Sequence, residues 1–569
     1  MNIRRELERR LSAALSKTAG VEGLPAIVAP SARPRFGDYQ ANGVMSAAKR
    51  LKINPRELAD KVIATVDLSD LAENLEAAGP GFINITLKDE LLQKQLAESL
   101  TDEHLGVPKA DPSQRIVVDY SAPNLAKEMH VGHLRSTIIG DALVRTLDFL
   151  GHTVIRQNHV GDWGTQFGML IAYHEDGVQT IPDRVITKTT ETVTVDGDKH
   201  RITEEVTRRP HIVSFHVADM EEFYRSAKVK FDTDAGFADK SRKMVARLQG
   251  GDSAIKQKWC LCRDESLRHC QQVYDRLGVL LTSEDVRGES AYNDDLPEVV
   301  RVLKDKELLT ESEGAQCVFL DEFRNKDNEP LPVIVQKSDG GYLYSTTDLA
   351  AVRYRVGELK AERILYVTDS RQALHFKQIF AVARKAGFAP ENVSLEHIPF
   401  GTMMGSDNRP FKTREGGTVK LTDLLDIAER QALGLVNSKN PDLPDEQKRE
   451  IARIVGIGAV KYADLSHNRT SDYVFSFDKM LSLDGNTAPY MQYAYARIRS
   501  IFRKGNESTN FTNYTNILIT DPSERALALK LLQFAETVEA VAAESLPHLL
   551  CGYLYDLAGV FTAFYESCP

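Results

Sequence analysis

The sequence is 569 residues long, enough for roughly three or four domains, and it carries a formal net charge of −10. It contains no uninterrupted apolar run of the length that crosses a bilayer, and its N-terminus lacks the apolar stretch of a signal peptide. The net negative charge does not exclude a nucleic-acid partner, because such binding depends on a local basic face. We therefore expect a cytoplasmic protein without membrane contact.

The first 112 residues are predicted to form an α+β domain. Leu7 and Leu11 are surrounded by arginines and glutamates, which predicts an amphipathic helix. The segment Phe82-Ile83-Asn84-Ile85 follows the turn Gly79-Pro80-Gly81 and is typical of a short strand. The linker Ala110-Asp111-Pro112 is predicted to end this domain.

Strands and helices then alternate over residues 113–442, which predicts a doubly wound parallel sheet of the Rossmann-like type. Its first part consists of a strand at 116–120, a helix at 134–147 that stops at Gly151, and a strand from Val154. Its second part consists of strands at 363–367 and 395–400 around a helix at 375–386. Ligands of such sheets bind beyond the carboxyl ends of the strands.

Three further segments differ from this pattern. Residues 178–212 contain two strand-like runs around Asp196-Gly197, which predicts a β-hairpin inserted into the α/β domain. Residues 401–417 are polar, glycine-rich and basic, and resemble a mobile phosphate-handling loop. Residues 443–569 are mostly helical in pattern and are predicted to form a helical domain.

The six cysteines are few for this length, and three of them form the only cluster, at Cys260, Cys262 and Cys270. A C-x-C pair without a second pair is a poor template for zinc. We expect thiols on a helix in a reducing cytosol, and no tightly bound metal.

His130-Val131-Gly132-His133 lies where the first strand is expected to turn into the first helix of the sheet. Residues i and i+3 of a first helical turn face the same way, so both imidazoles can point toward one anion beside the free N–H groups of the helix. Gly132 leaves room for a ribose or a flat ring, and Lys127 supplies a cation one turn earlier. The set predicts binding of a nucleoside triphosphate whose α-phosphate is attacked. The alternative for any one basic residue is a solvated surface charge.

These residues belong to a block, Ser121 to Asp141, that resembles the first signature of class I aminoacyl-tRNA synthetases. With Phe36–Asn42, Gly161–Gly168 and Asn486–Tyr493, it resembles the arginyl enzymes over essentially the whole chain. The resemblance implies two steps: arginine and ATP give arginyl-adenylate and pyrophosphate, and arginine then passes to the 3′-terminal adenosine of tRNA(Arg). It also implies Mg²⁺ with ATP, although the sequence shows no dedicated site for it.

One departure from the family concerns the phosphate-handling loop. Many class I enzymes have K-M-S-K-S, whereas the matching stretch here is Pro410-Phe411-Lys412-Thr413-Arg414. Some arginyl enzymes share this loss and are thought to use the lysine before the histidine motif, which is Lys127 here. The resemblance therefore ranks Lys127 above Lys412. It implies these catalytic and ATP-binding residues: Lys127, His130, His133, Lys412 and Arg414 for catalysis, and His130, Gly132, His133, Gly401 and Met403 for ATP.

The resemblance also implies an arginine pocket, made of Asp119, Ser121, Asn124, Glu289, Tyr344, Asp348 and Gln372. Carboxylates suit arginine because a guanidinium is planar, always charged and presents paired donors. A buried acid without a cation is costly, so paired acids in a cleft imply a cationic guest. The alternative is that these acids cap helices or lie in solvent. We expect Asp348 and Tyr344 at the guanidinium end.

For tRNA, the resemblance assigns residues 1–112 to the elbow and residues 443–569 to the anticodon. Tyr490, Tyr493 and Arg497 recur at helical spacing, and exposed rings beside arginine suit stacking on unpaired bases. The alternative is an aromatic core stripe. Relatives usually continue beyond the position of Pro569, so we expect an incomplete helical domain.

The expected partners are tRNA(Arg), arginine and ATP, and the expected assembly is a monomer. A repurposed paralogue would have lost the histidines or the pocket acids, and all are present. A cofactor adenylyltransferase would be much shorter and would lack the C-terminal helical domain. The sequence therefore favours the synthetase over both alternatives.

Overall fold

The computed structural model describes residues 2–177, 189–195, 198–204, 220–411, 419–504 and 517–568. The chain divides into two compact units. The first comprises residues 1–121, 131–157 and 298–569, and the second comprises residues 122–130 and 158–297. The three domains expected at 1–112, 113–442 and 443–569 stay a prediction.

The N-terminal part of the first unit combines four helices with an antiparallel sheet whose strand order is β1-β2-β4-β3. The elements are α1 (Ile3–Ala19), β1 (Val28–Pro30), β2 (Tyr39–Ala41), α2 (Gly43–Leu51), α3 (Pro55–Thr65), β3 (Ala72–Ala78), β4 (Phe82–Leu87) and α4 (Asp89–Leu100).

The amphipathic helix predicted at the N-terminus is confirmed as α1. Leu7 and Leu11 are wholly buried on its inner face. The side chain of Asn2 accepts a hydrogen bond from the N–H of Arg5, and Gly20 ends the helix in the left-handed region. The apolar spacing and both ends of α1 therefore follow from local sequence.

The first unit also contains a four-stranded parallel sheet with strand order β13-β12-β5-β6. Its strands and the helices that follow two of them are β5 (Arg115–Asp119), α5 (Val131–Phe149), β6 (Thr153–Gln157), β12 (Arg363–Asp369), α12 (Ala373–Ala386) and β13 (Ser394–Phe400). The predicted strand at 116–120 is shifted by one residue, whereas the predicted helices and the stop at Gly151 are confirmed, since Gly151 has φ 82°. A doubly wound α/β arrangement results.

Helix α5 lies very close to β5. A Cβ added at Gly140 would be 2.3 Å from the Cβ of Tyr120, so no side chain fits at that point. This close approach fixes the helix that carries His133 against the strand that ends at Asp119.

The second unit is mostly helical. Its elements are α6 (Thr165–Gly177), β7 (Thr189–Val195), β8 (Asp198–Glu204), α7 (Met220–Thr233), α8 (Ala235–Gln249) and α9 (Ser253–Leu277); α10 (Leu296–Asp305) begins in it and ends in the first unit. Strands β7 and β8 pair antiparallel, as the predicted hairpin requires. The three clustered cysteines are thiols on α9, and burial raises the pKa of Cys262 and Cys270 to about 12.

The rest of the first unit includes a small antiparallel sheet and the predicted C-terminal helices. Its elements are β9 (Thr310–Ser312), β10 (Ala315–Val318), β11 (Val333–Gln336), α11 (Tyr344–Gly357), β14 (Met403–Met404), α13 (Leu421–Lys439), α14 (Asp445–Leu465), β15 (Tyr473–Val474), α15 (Phe477–Met480), α16 (Ala488–Lys504), α17 (Pro522–Leu532), α18 (Phe534–Glu544) and α19 (His548–Ser567). Within the described ranges, none of the helices combines the length and the apolar character needed to span a lipid bilayer.

Candidate active site

The candidate site lies where the order of the parallel strands reverses. Strand β6 lies on one side of β5, and β12 lies on the other. The carboxyl ends of β5 and β12 therefore form a topological switch point, where α/β sheets bind ligands. Asp119 ends β5, and Gln372 follows the end of β12.

The chain bends sharply after β5. Ser121 has φ 70° and Ala122 has φ 44°, both in the left-handed region that non-glycine residues rarely adopt. The N–H of Ser121 donates to Ser136 Oγ at 2.9 Å, and Thr137 Oγ1 donates to Ser121 Oγ at 2.9 Å. Ser136 Oγ in turn donates to the carbonyl oxygen of Val367 at 2.6 Å. These contacts from α5 hold Ser121 in a strained conformation, as is common at functional sites.

Asp119 has a cationic partner within the chain. Arg355 of α11 donates to Asp119 Oδ2 at 2.7 Å and, through Nε, to Gln157 Oε1 at 2.6 Å. Arg355 and Asp119 are both buried. Because Arg355 supplies a cation within the chain, the burial of Asp119 does not by itself require a cationic guest. A role for Asp119 in arginine binding stays a prediction, and Arg355 was not predicted from the sequence.

Tyr344 and Asp348 lie one turn apart on α11, and His375 of α12 contacts both. His375 Nε2 lies 2.6 Å from Asp348 Oδ2, and the rings of Tyr344 and His375 are 4.9 Å apart. Tyr344 is 63% exposed, and Gln372 is also exposed, three residues before His375. The structure thus groups an acid, an aromatic ring and an imidazole, and the imidazole was not predicted from the sequence.

The histidine motif lies at the predicted strand-to-helix junction. Helix α5 begins at Val131, so His133 lies in its first turn and His130 directly precedes it. His130 is half-buried, and its pKa is lowered. Burial is the larger cause, and the nearby Lys127 ammonium is the second. The lowered pKa favours the neutral form of His130. Lys127 is exposed, and its Nζ lies 4.8 Å from the centre of the Tyr224 ring.

The second unit contains Asn124 and Glu289, the other two predicted arginine-binding residues. Asn124 is exposed, and its Oδ1 accepts from the N–H of Ala126 at 3.1 Å. Glu289 is half-buried and begins the 3₁₀ helix Glu289–Asp295. Its neighbour Ser290 hydrogen-bonds to buried Asp162, whose pKa is raised by burial. Asp162 belongs to the block Gly161–Gly168, which resembles the arginyl enzymes, and that resemblance is the sequence feature that points to Asp162.

The predicted phosphate-handling loop is described only up to Phe411, so Lys412 and Arg414 lie outside the described residues. The N–H of Gly401 donates to the carbonyl oxygen of Arg469 at 2.8 Å, and Met403 pairs with Tyr473 between β14 and β15. Both Gly401 and Met403 are buried. A direct contact of either with ATP stays a prediction.

The predicted aromatic stripe is divided between two environments on α16. The Tyr490 ring packs on Tyr555, and the Arg497 guanidinium lies 5.1 Å from the centre of the Tyr565 ring, so both contact α19. Tyr493, by contrast, is 57% exposed. Tyr490 and Arg497 are thus half-buried against α19, whereas Tyr493 meets the exposure that base stacking needs. A role of all three residues in tRNA binding stays a prediction.

Tyr495, which was not predicted, is also exposed, at 65%. Together with Met491 it lines a mainly apolar surface cavity of about 450 Å³ against Ile451 and Ile454 of α14. The helix thus presents exposed rings in the half that follows Tyr490.

Three family models match the chain in order along its length. The arginyl tRNA synthetase N terminal domain matches residues 5–87, and the tRNA synthetases class I (R), catalytic domain, matches residues 95–209 and 202–477. The DALR anticodon binding domain matches residues 491–569.

Whole proteins and solved structures are similar as well. Proteins named arginine–tRNA ligase from Hahella chejuensis and Laribacter hongkongensis are 56% and 55% identical, and each alignment covers 100% of this chain and 93% of the relative. The arginyl-tRNA synthetase structure from Plasmodium falciparum has a TM-score of 0.83 at 29% identity, covering 100% of this chain and 92% of that one. That from Thermus thermophilus has a TM-score of 0.76 at 25% identity, covering 99% and 92%. The similarity to these proteins and structures therefore covers the regions matched by all three family models.

Proposed function

The chain belongs to the class I arginyl-tRNA synthetases, and from this premise we propose how its residues carry the two steps of the arginine–tRNA ligase reaction. In the first step, a carboxylate oxygen of arginine attacks the α-phosphorus of ATP, the bond to pyrophosphate breaks, and arginyl-adenylate forms. In the second step, the 2′-hydroxyl of the terminal adenosine of tRNA(Arg) attacks the arginyl carbonyl carbon, and AMP leaves. Both steps depend on positioning and charge stabilisation.

We assign the contacts with the phosphates of ATP to Lys127, His130 and His133. A neutral His130 can donate a hydrogen bond to a phosphate oxygen, but it adds no fixed positive charge. Lys127 therefore provides the fixed cation that stabilises negative charge developing on the α-phosphate and pyrophosphate. Lys412 and Arg414 are assigned a supporting role at the phosphates, as the sequence predicts.

The grouping of Tyr344, Asp348 and His375 is the observation that supports our assignment of residues to the guanidinium of the substrate. His375 contacts only Oδ2 of Asp348 by hydrogen bonding, and a carboxylate has further lone pairs for a guanidinium. The exposed Tyr344 ring offers a flat face on which a guanidinium can stack. Asp348 and Tyr344 thus recognise the side chain of arginine.

The residues that bind the α-amino and carboxylate groups of the substrate arginine are assigned by elimination. Asp119 is paired with Arg355, and Asp348 is assigned to the guanidinium, so Glu289 is the remaining predicted acid for the α-ammonium group. Asn124, Ser121 and Gln372 supply polar groups for the rest of the amino acid. Asp119 supports the pocket by fixing the end of β5 to α11.

Mg²⁺ accompanies ATP as part of the substrate in this proposal. Among residues 2–177, 189–195, 198–204, 220–411, 419–504 and 517–568, no three His, Cys, Asp or Glu side chains are grouped so that they could hold a metal ion. Mg²⁺ usually keeps several waters and binds through substrate phosphates, so we assign it no protein ligands and route no step through it.

We assign tRNA stacking to the exposed rings of Tyr493 and Tyr495, with the anticodon end of tRNA(Arg) as their partner. The apolar cavity beside Tyr495 is large enough to take part of a base, and Arg497 and Arg499 give the helix positive charge. We further propose that the enzyme is a cytoplasmic monomer, which sedimentation and cell fractionation would test.

ATP–pyrophosphate exchange with each amino acid, run with and without tRNA(Arg), tests the assignment. We expect exchange with arginine alone. Asp348→Asn should raise the KM for arginine and leave the KM for ATP unchanged, whereas Asp305→Asn, at an exposed pair with Arg301, should change neither. Equal or better exchange with lysine would exclude the proposed specificity.

A further inference from the structure

The block Gly161-Asp162-Trp163-Gly164 has no part in the function proposed above, yet it contacts the two loops of the second unit that carry Asn124 and Glu289. The N–H of Gly161 donates to the carbonyl oxygen of Pro123 at 3.0 Å, and the carbonyl oxygen of Gly161 accepts from the N–H of Leu125 at 3.0 Å. Gly161 thus pairs with the chain on both sides of Asn124, one of the residues assigned to arginine.

Asp162 contacts the residue after Glu289. Its Oδ1 accepts from the N–H of Ser290 at 2.8 Å, and its Oδ2 accepts from Ser290 Oγ at 2.6 Å. The side chain is deeply buried, with Asp162 only 2% exposed. Both carboxylate oxygens are therefore used to hold one residue next to Glu289.

Asp162 also contacts the residue before Glu289. A Cβ at Gly288 would lie 2.3 Å from Asp162 Oδ2 and 2.4 Å from its Cγ, so only glycine fits there. The N–H of Glu289 itself donates to the carbonyl oxygen of Val160 at 3.1 Å. The segment 160–162 thus packs closely against Gly288 and hydrogen-bonds to Glu289 and Ser290.

This segment is anchored in turn on α9. Trp259 Nε1 donates to the carbonyl oxygen of Asp162 at 2.7 Å, and the Trp163 and Trp259 rings meet edge to face at 5.6 Å. Trp259 is buried. The backbone of Asp162 is therefore bound to α9, while its side chain is bound to the loop of Glu289.

We propose that Asp162 is a positioning residue for arginine recognition, which holds Glu289 in place through Ser290 and Gly288, while Gly161 holds the loop of Asn124. The inference rests on the proposed role of Glu289. A misplacement of about 1 Å can cost about 100-fold in rate, so we expect a shift of Glu289 to weaken the productive binding of arginine.

The first test measures the KM for arginine and the KM for ATP in ATP–pyrophosphate exchange with tRNA(Arg) present. Asp162→Ala removes both acceptors and should raise the KM for arginine about 10- to 100-fold, with the KM for ATP changed less than about twofold. Asp162→Asn should stay close to the wild type, because its amide oxygen accepts from the Ser290 N–H and its NH₂ donates to Ser290 Oγ.

The matched control is Asp252→Ala in the same unit. Asp252 caps α9 by accepting from the N–H groups of Ala254 and Ile255 and also accepts from Arg247, so this variant likewise loses the hydrogen bonds of a carboxylate. It should lower thermal stability while leaving the KM for arginine unchanged. A similar rise in the KM for arginine in this control would show that general destabilisation explains the effect.

A second pair of variants tests the contact itself. Gly288→Ala should raise the KM for arginine because its methyl group collides with the Asp162 carboxylate. In the Asp162→Ala background that collision is removed, so the double variant should show much less than the product of the two single effects. Independent, multiplicative effects would contradict direct contact between the two positions.

Glu289→Ala separates failure of this inference from failure of the proposed function. If Glu289→Ala leaves the KM for arginine unchanged, the assignment of Glu289 is wrong, and the inference falls with it. If Glu289→Ala raises that KM but folded Asp162→Ala does not, the positioning role alone is overturned. Equal rises in the KM for arginine and for ATP in Asp162→Ala would also overturn it.

Discussion

Arg135 of α5 and Asp464 of α14 form an ion pair with side chains only 2% and 0% exposed. Arg135 Nε lies 3.0 Å from Asp464 Oδ2, and Nη1 donates to the carbonyl oxygen of Ser471 at 3.1 Å. The guanidinium also faces the Tyr473 ring at 5.2 Å. Because Arg135 lies two residues after His133, this pair fixes the histidine helix to the first long helix of the predicted C-terminal domain.

Removing one partner of this pair should destabilise the protein strongly. Asp464→Leu leaves the buried Arg135 charge uncompensated, which costs about 3–5 kcal/mol. The double variant Arg135→Met with Asp464→Leu should recover most of that loss, since neither charge remains. Urea unfolding followed by circular dichroism measures the difference, and a double variant no more stable than Asp464→Leu would contradict the prediction.

His133→Ala should lower turnover by orders of magnitude while leaving arginine affinity nearly unchanged, because the imidazole is assigned to the reacting phosphate. Steady-state pyrophosphate exchange gives both quantities. A large loss of arginine affinity at unaltered turnover would instead assign His133 a structural role in the pocket.

Lys127→Met should lower the exchange rate about 100-fold, because it removes the fixed cation proposed for the α-phosphate and pyrophosphate. Lys127→Arg keeps the charge and should keep part of the rate. Tyr224→Phe is the control, since it retains the ring that Lys127 faces and should behave as the wild type. If Lys127→Met retained full activity, the cation would have to come from the predicted loop at Lys412 and Arg414.

Glu536 of α18 should make stability depend on pH. Burial raises the pKa of Glu536 from 4.5 to about 7, and Tyr39 Oη donates to its Oε2 at 3.3 Å. The folded state therefore holds this proton more tightly than the unfolded state. The free energy of unfolding should fall, as pH rises from about 4.5 to about 7, by roughly 3 kcal/mol from this group.

Glu536→Gln has no such proton to lose, so its free energy of unfolding should change less over that pH range and should exceed that of the wild type at pH 8. Urea unfolding at pH 5 and pH 8 checks both statements. An unchanged pH dependence in Glu536→Gln would assign the effect to other groups.

Tyr493 and Tyr495 should affect tRNA binding, whereas Tyr490 should affect stability. Replacing both exposed rings by alanine removes stacking worth about 1–3 kcal/mol per base and should weaken tRNA(Arg) binding without lowering Tm. Tyr490→Ala, which loses packing on Tyr555, should lower Tm. Filter binding and thermal unfolding measure the two effects, and equal behaviour of the three positions would contradict the division of α16.

The elements that could be predicted are those marked by residues close to them in the sequence. The last residue of α12 was correctly placed and that of α5 was placed within two residues, because Gly387 and Gly151 adopt positive φ, which a glycine at the end of an apolar pattern indicates. The last residue of β5 was missed by one, since Tyr120 is as apolar and buried as the strand before it. Strand order could be limited to the doubly wound type, but pairing of β5 with β12 joins residues too distant in sequence to predict.

The candidate site was predicted less completely, for the same reason. Asp119 and Arg355 are 236 residues apart, so the acid was visible in the sequence but its partner was not. Asp348 and His375 are 27 residues apart, and no spacing rule joins them. Helical periodicity placed Tyr490 and Tyr493 on one helix, but only the position of α19 decides which of the two is covered.

The guanidinium of Arg355 beside Asp119 has a consequence for the enzyme without its substrate. Because the acid at the end of β5 has a counter-ion from its own chain, the charge of Asp119 is balanced before any amino acid binds. The end of this strand therefore needs no ligand to offset a buried negative charge.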